Sequence, residues 1–177
     1  MKTAKRLEHI QEYYFSRKLK EINSLISTGK PIINLGIGSP DIMPPRSVVK
    51  KLIKSLESPV AHKYQGYKGI EPLRIAIKDF YQNNYNVKLD PNNQILPLIG
   101  SKEGIMHISL AFLDEGDEVL IPNPGYPTYS AVTRIVGAKS IYYSLKESKS
   151  WLPDINELKK LDLTKVKIMW INYPNMP

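Results

Sequence analysis

Cysteine is absent from the 177 residues, and tryptophan, phenylalanine and histidine are scarce, with two, three and three copies. Without a thiol there is no disulfide framework, no thiolate nucleophile and no cysteine-bound zinc. His9, His62 and His107 are too scattered to suggest a metal set, and no HExxH spacing occurs, so no metal is expected. No apolar run approaches the roughly 20 residues that span a bilayer, so no membrane contact is expected. Met1-Lys2-Thr3-Ala4-Lys5-Arg6 is followed by more charge and not by an apolar segment, which argues against a secretory signal and for a cytoplasmic location. There is no Walker A loop. Gly36 and Gly38 lack the third glycine of a dinucleotide fingerprint.

What is present reads as a soluble globular chain, 42% apolar and 24% charged, long enough for one domain or for part of a larger one. The net charge of +8 is spread over helix faces and turns, as at Lys50-Lys51 and Lys159-Lys160, without a basic stripe interleaved with aromatics. Nucleic acid is therefore not an expected partner, whereas an anionic small molecule in a cleft is.

Apolar residues from Leu7 to Ile26 fall mostly three and four apart, which predicts one amphipathic helix over 7–26, ended by Gly29 and Pro31. Tyr14 lies with its apolar stripe and Tyr13 does not. Helices are also predicted over 45–56 and 70–85. From residue 94 the pattern reads strand (94–99), helix (102–113), strand (118–121), helix (129–136), strand (140–145), helix from an Asp154 cap, and strand (166–171). That alternation predicts an α/β fold with a mainly parallel sheet, and Pro97 marks the first strand as an edge.

The candidate chemistry gathers at turns. Gly100-Ser101-Lys102 breaks an apolar run and opens a helix, a place that suits an anion; a plain serine cap fits the same residues. Pro122-Asn123-Pro124-Gly125-Tyr126-Pro127 fixes one aromatic in a rigid turn. Asn172-Tyr173-Pro174-Asn175 follows the last strand. In a parallel sheet, turns at the carboxyl ends of strands are where ligands sit, so Ser101, Tyr126 and Asn175 are expected to converge. Ser27 to Lys30 and Ser47 to Lys50 fit SxxK without the partner motifs of that hydrolase class.

Taken together, Asn34-Leu35-Gly36-Ile37-Gly38-Ser39-Pro40-Asp41, Tyr64 with Gly69 and Leu73-Arg74, Gly100-Ser101-Lys102-Glu103-Gly104, Pro124-Gly125-Tyr126-Pro127 and Asn172-Tyr173-Pro174-Asn175 resemble the N-terminal half of the class I/II, fold type I pyridoxal-phosphate aminotransferases. The resemblance covers essentially the whole chain. It implies a three-layer α/β large domain, incomplete here, with residues 1–44 as an N-terminal arm and part of a small domain and 45–177 as the first half of the cofactor-binding domain.

The resemblance further implies that pyridoxal 5′-phosphate is the cofactor and that amino acids and 2-oxo acids are the substrates. Ser101 and the backbone of Lys102 would bind the phosphate, and Tyr126 would stack on the ring. Tyr64 would reach the cofactor phosphate of a partner subunit in a homodimer, and Arg74 would be structural. Gly38 would lie against the substrate carboxylate. Tyr13-Tyr14-Phe15-Ser16 with Gly-Ser-Lys is most similar to the LL-diaminopimelate branch, where Tyr13 and Lys102 would touch substrate.

Two departures stand out. Met176 occupies the place of the asparagine that bonds the cofactor's ring oxygen, with Asn175 the nearest substitute. The lysine that holds the cofactor covalently, the aspartate that pairs with the ring nitrogen and the carboxylate-binding arginine have no counterparts, so no catalytic residue is assigned and the chain alone is expected to be inactive. A non-catalytic module that binds a phosphate ligand is the alternative reading.

Overall fold

The computed structural model describes residues 2–8 and 12–176. They fall into two compact units, one of residues 12–97 and one of residues 98 onward together with the N-terminal stretch.

In the second unit three short strands lie parallel in the order β2-β1-β3. They are β1 (Glu118–Asn123), β2 (Lys139–Ser144) and β3 (Val166–Met169). The central strand is buried on both faces, as parallel strands covered by helices are. Its side chains alternate with the strand period. Val119 and Ile121 face α4 (Ser101–Phe112) and α5 (Pro127–Ile135) through Ile105, Leu113, Tyr129 and Val132. Leu120 faces the other way, onto Tyr143, Leu145 and Leu158 of the short helix α6 (Ile155–Leu158). Asp154 caps α6 as expected, its carboxylate accepting from the backbone N–H of Asn156 at 2.9 Å and Glu157 at 3.4 Å. The Glu157 carboxylate takes the Lys146 ammonium at 2.8 Å.

Residues 12–97 form three helices, α1 (Tyr14–Ser27), α2 (Arg46–Leu56) and α3 (Glu71–Tyr85). The boundaries of α2 and α3 follow the local signals: Pro45 and Ile70 precede them, and Asn86, at φ 55°, ends α3 in the left-handed conformation that asparagine tolerates. Arg74 of α3 gathers the loops around it, donating to the carbonyls of Pro91 at 2.8 Å, of Lys68 at 3.4 Å and of Gly69.

Two expected elements differ. The helix expected over 7–26 begins at Tyr14, where Glu12 just ahead of the first turn takes the Ser16 hydroxyl at 2.8 Å and the Lys20 ammonium at 2.6 Å. A negative charge at that end favours a start there. Leu7 closes a separate 3-10 turn, Lys5–Leu7, and Ile10 lies outside the described residues. The strand expected over 94–99 is not formed: 95–98 run without a ladder between turns. Pro97 has no N–H to offer a neighbour, and its ring packs instead over Gly69, whose φ is +73°.

Candidate functional site

The site is built on two turns of the unit that holds the sheet. At the first, Gly100 is the N-cap of α4, extended at φ 175° and ψ 169°, with no side-chain cap. Ser101 is therefore the first helical residue and not the cap. Glu103 turns its carboxylate back to accept the Ile99 N–H at 2.7 Å. Space above Gly100 is open, with no atom within 4 Å of where a Cβ would stand. Gly104, one turn along, lets Leu98 lie against the helix: a Cβ there would meet Leu98 Cδ1 at 2.7 Å. The Gly-Ser-Lys-Glu-Gly run thus yields a helix start without a side-chain cap, and such a start carries roughly half a positive charge.

At the second turn, a cis Asn123–Pro124 bond and Gly125 carry the chain from β1 into α5, with Pro127 at the first helical position. Any Cβ on Gly125 would collide with the Pro122 carbonyl oxygen and would stand 2.9 Å from Pro122 Cγ, so only glycine fits. Tyr126 is the N-cap residue of α5, half-buried.

These turns meet: the Lys102 ammonium lies over the Tyr126 ring, 5.7 Å from its centre. The Thr128 hydroxyl holds the Tyr126 phenol below its usual pKa, with burial opposing and Lys102 adding to the lowering. A cation, a helix start and an aromatic face within one small area suit a flat ligand that bears an anionic group. Asn175 follows a cis Tyr173–Pro174 bond, and its side-chain oxygen is buried without a hydrogen-bond partner. Such an orphan acceptor is costly unless a ligand or water meets it. Among the described residues no group of three His, Asp or Glu residues could hold a metal ion.

Tyr13, Gly38 and Tyr64 belong to residues 12–97. Tyr64 stands 98% exposed, and nothing lies within 4 Å of where a Cβ on Gly38 would stand. Tyr13 precedes α1 and packs its ring on Phe15 at 5.6 Å.

Two residues escaped the sequence reading. Tyr129 meets Tyr126 edge-on, with ring centres 5.8 Å apart and planes at 84°, and stacks on Trp170 at 5.1 Å and 12°. The available signal was the i, i+3 spacing of Tyr126 and Tyr129 across the start of a helix.

Residues 30–177 match the family described as aminotransferase class I and II. The LL-diaminopimelate aminotransferase of Dehalococcoides mccartyi strain 195 is 41% identical over 177 residues, which is all of this chain and 46% of that protein. The LL-diaminopimelate aminotransferase of Moorella thermoacetica is also 41% identical over 177 residues, 45% of its length. Among solved structures, apo-BacF from Bacillus subtilis superposes with a TM-score of 0.90 at 32% identity, covering 100% of this chain and 45% of the other. The chain thus spans about half the length of the curated relatives it matches.

Proposed function

The chain belongs to the aminotransferase class I and II family, and from that premise we propose that the complete protein moves an amino group between an amino acid and a 2-oxo acid using pyridoxal 5′-phosphate. Bound pyridoxal phosphate supplies an electron sink that makes the amino acid's α-proton removable. The observation that carries the reading is the Lys102 ammonium over the Tyr126 ring beside the uncapped start of α4. That arrangement fits a phosphate ester joined to a planar ring.

In this reading the Ser101 hydroxyl and the backbone of Lys102 hold the phosphate, and Tyr126 presents its face to the ring. The Asn175 side-chain N–H donates to the ring oxygen of the cofactor in place of the residue at 176. Gly38 leaves room for the substrate carboxylate, and Tyr13 and the Lys102 side chain touch the rest of the substrate. Tyr64, exposed in this chain, reaches the cofactor phosphate of the other subunit of a homodimer. Residues 1–44 form the arm and part of the small domain, and 45–177 the first half of the large one. None of the residues named above is assigned the covalent bond to the cofactor in this reading, and residues 1–177 alone are expected not to transaminate. A cytoplasmic location goes with this role.

The substrate we assign is LL-diaminopimelate, on the strength of two relatives of that name at 41% identity over the whole chain. With the complete protein, LL-diaminopimelate should give a higher kcat/KM than aspartate or phenylalanine as donor. A preference for either of the others overturns the assignment. Tyr126→Ala should weaken cofactor binding roughly tenfold, the scale of losing one stacked ring. Unchanged affinity removes Tyr126 from the site.

A further inference from the structure

We propose that Tyr129 and Trp170 are positioning residues that hold the Tyr126 ring in the attitude in which it meets the cofactor. The proposal rests on the reading of Tyr126 given above and extends it to two residues that touch neither cofactor nor substrate.

Three aromatic rings form a ladder from the sheet to the site. At its foot, the Trp170 backbone N–H donates to the Leu120 carbonyl of the central strand at 2.9 Å. The Trp170 carbonyl accepts the Tyr143 hydroxyl of β2 at 2.6 Å. The indole is thus fixed through its backbone from two strands, while its own N–H is buried without an acceptor. Trp170 is consequently held as a flat surface and not by a polar tip.

On that surface lies Tyr129, almost parallel at 12°, 6% exposed, its carbonyl taken by the buried Thr133 hydroxyl at 2.8 Å. The Tyr129 ring meets Trp170 on one side and Tyr126 on the other. Tyr126 then stands on Tyr129 at 84°, the edge-to-face attitude that aromatic quadrupoles favour. Pro127 restricts the backbone that follows Tyr126, and Tyr129 restricts its ring. A side chain that is already immobile loses little freedom when a ligand arrives, which raises affinity without a new contact.

The test is a double-mutant cycle on the complete protein, prepared without cofactor and titrated with pyridoxal 5′-phosphate by equilibrium dialysis. Tyr129→Leu should weaken binding roughly three- to tenfold, the scale of one aromatic pair. Tyr129→Phe, which keeps the ring, should restore it. In the Tyr126→Ala background Tyr129→Leu should cost nothing further, because a residue acting through Tyr126 has nothing left to position. A Tyr129 that merely fills the core would lower Tm with affinity unchanged, or carry its full penalty into the Tyr126→Ala background; either result overturns the proposal. If Tyr126→Ala alone leaves affinity intact, the cofactor reading of Tyr126 fails and the positioning role falls with it. Should Tyr129→Leu not fold, Trp170→Leu serves the same cycle with the same expected coupling.

Discussion

Residues 98–176 and 12–97 are built from equally plain amphipathic patterns, yet they bury very different amounts. The first stretch encloses Val119, Leu120 and Ile121 between α4 and α5 on one face and α6 on the other. In the second, α1, α2 and α3 hold no buried residue, and apolar side chains such as Leu35 (89% exposed) and Ile33 (85%) face outward. Periodicity fixes which side of a helix is apolar; only a second apolar surface turns that side into core. The sheet supplies such a surface to α4, α5 and α6.

The contrast is broken most directly at its strongest point. Ile121→Ala, at a side chain 2% exposed, should lower the stability of the 177-residue chain by about 2–5 kcal/mol in urea unfolding. A loss under about 1 kcal/mol would show that the sheet is no better packed than the helices of 12–97.

Tyr143→Phe tests the same core with a smaller effect, about 1 kcal/mol for the hydrogen bond to Trp170. It also removes a pH dependence. Burial, with Tyr173 and Tyr129 adding to it, pushes the Tyr143 phenol from 10.0 up to about 12. Between pH 10 and about 12 the unfolded chain loses a proton that the native chain keeps. Stability from this residue is therefore complete below pH 10 and falls as the pH rises through that interval. The phenylalanine variant should show a flatter alkaline limb in a stability profile; an unchanged limb would mean that Tyr143 titrates like an exposed tyrosine.

The smallest effect is expected at Leu52, 61% exposed on α2. Leu52→Ala should shift stability of the 177-residue chain by no more than about 0.5 kcal/mol. The same substitution in the complete protein sharpens the comparison: a loss of about 2 kcal/mol or more there would mean that this face is covered in the assembled protein.

What was legible in the sequence divides along the same physical line. The limits of α2 and α3, the Asp154 cap and the glycines at 100 and 125 follow from local chemistry, since proline, asparagine and glycine act on their own backbone. The parallel sheet was legible from the alternation of elements after residue 113. The expected strand over 94–99 failed because a strand exists only with a partner, and Pro97 spends its ring on Gly69. Lys102 and Tyr126 were both singled out as site residues, but their meeting at 5.7 Å had to come from the folded backbone. Trp170 went unseen because stacking between distant residues leaves no mark on either one's neighbours in sequence, and Tyr129 because its spacing of three from Tyr126 acquires meaning only once a helix starts there.

The collision that awaits any side chain at Gly125 has a consequence for inheritance. Every missense change in that codon adds at least a methyl group where the Pro122 carbonyl already stands. The damage would spare the surrounding chemical groups and fall on the turn that leads into the Tyr126 ring. In a pool of random variants, lineages would be free to drift at exposed positions such as Lys159 long before they could drift here.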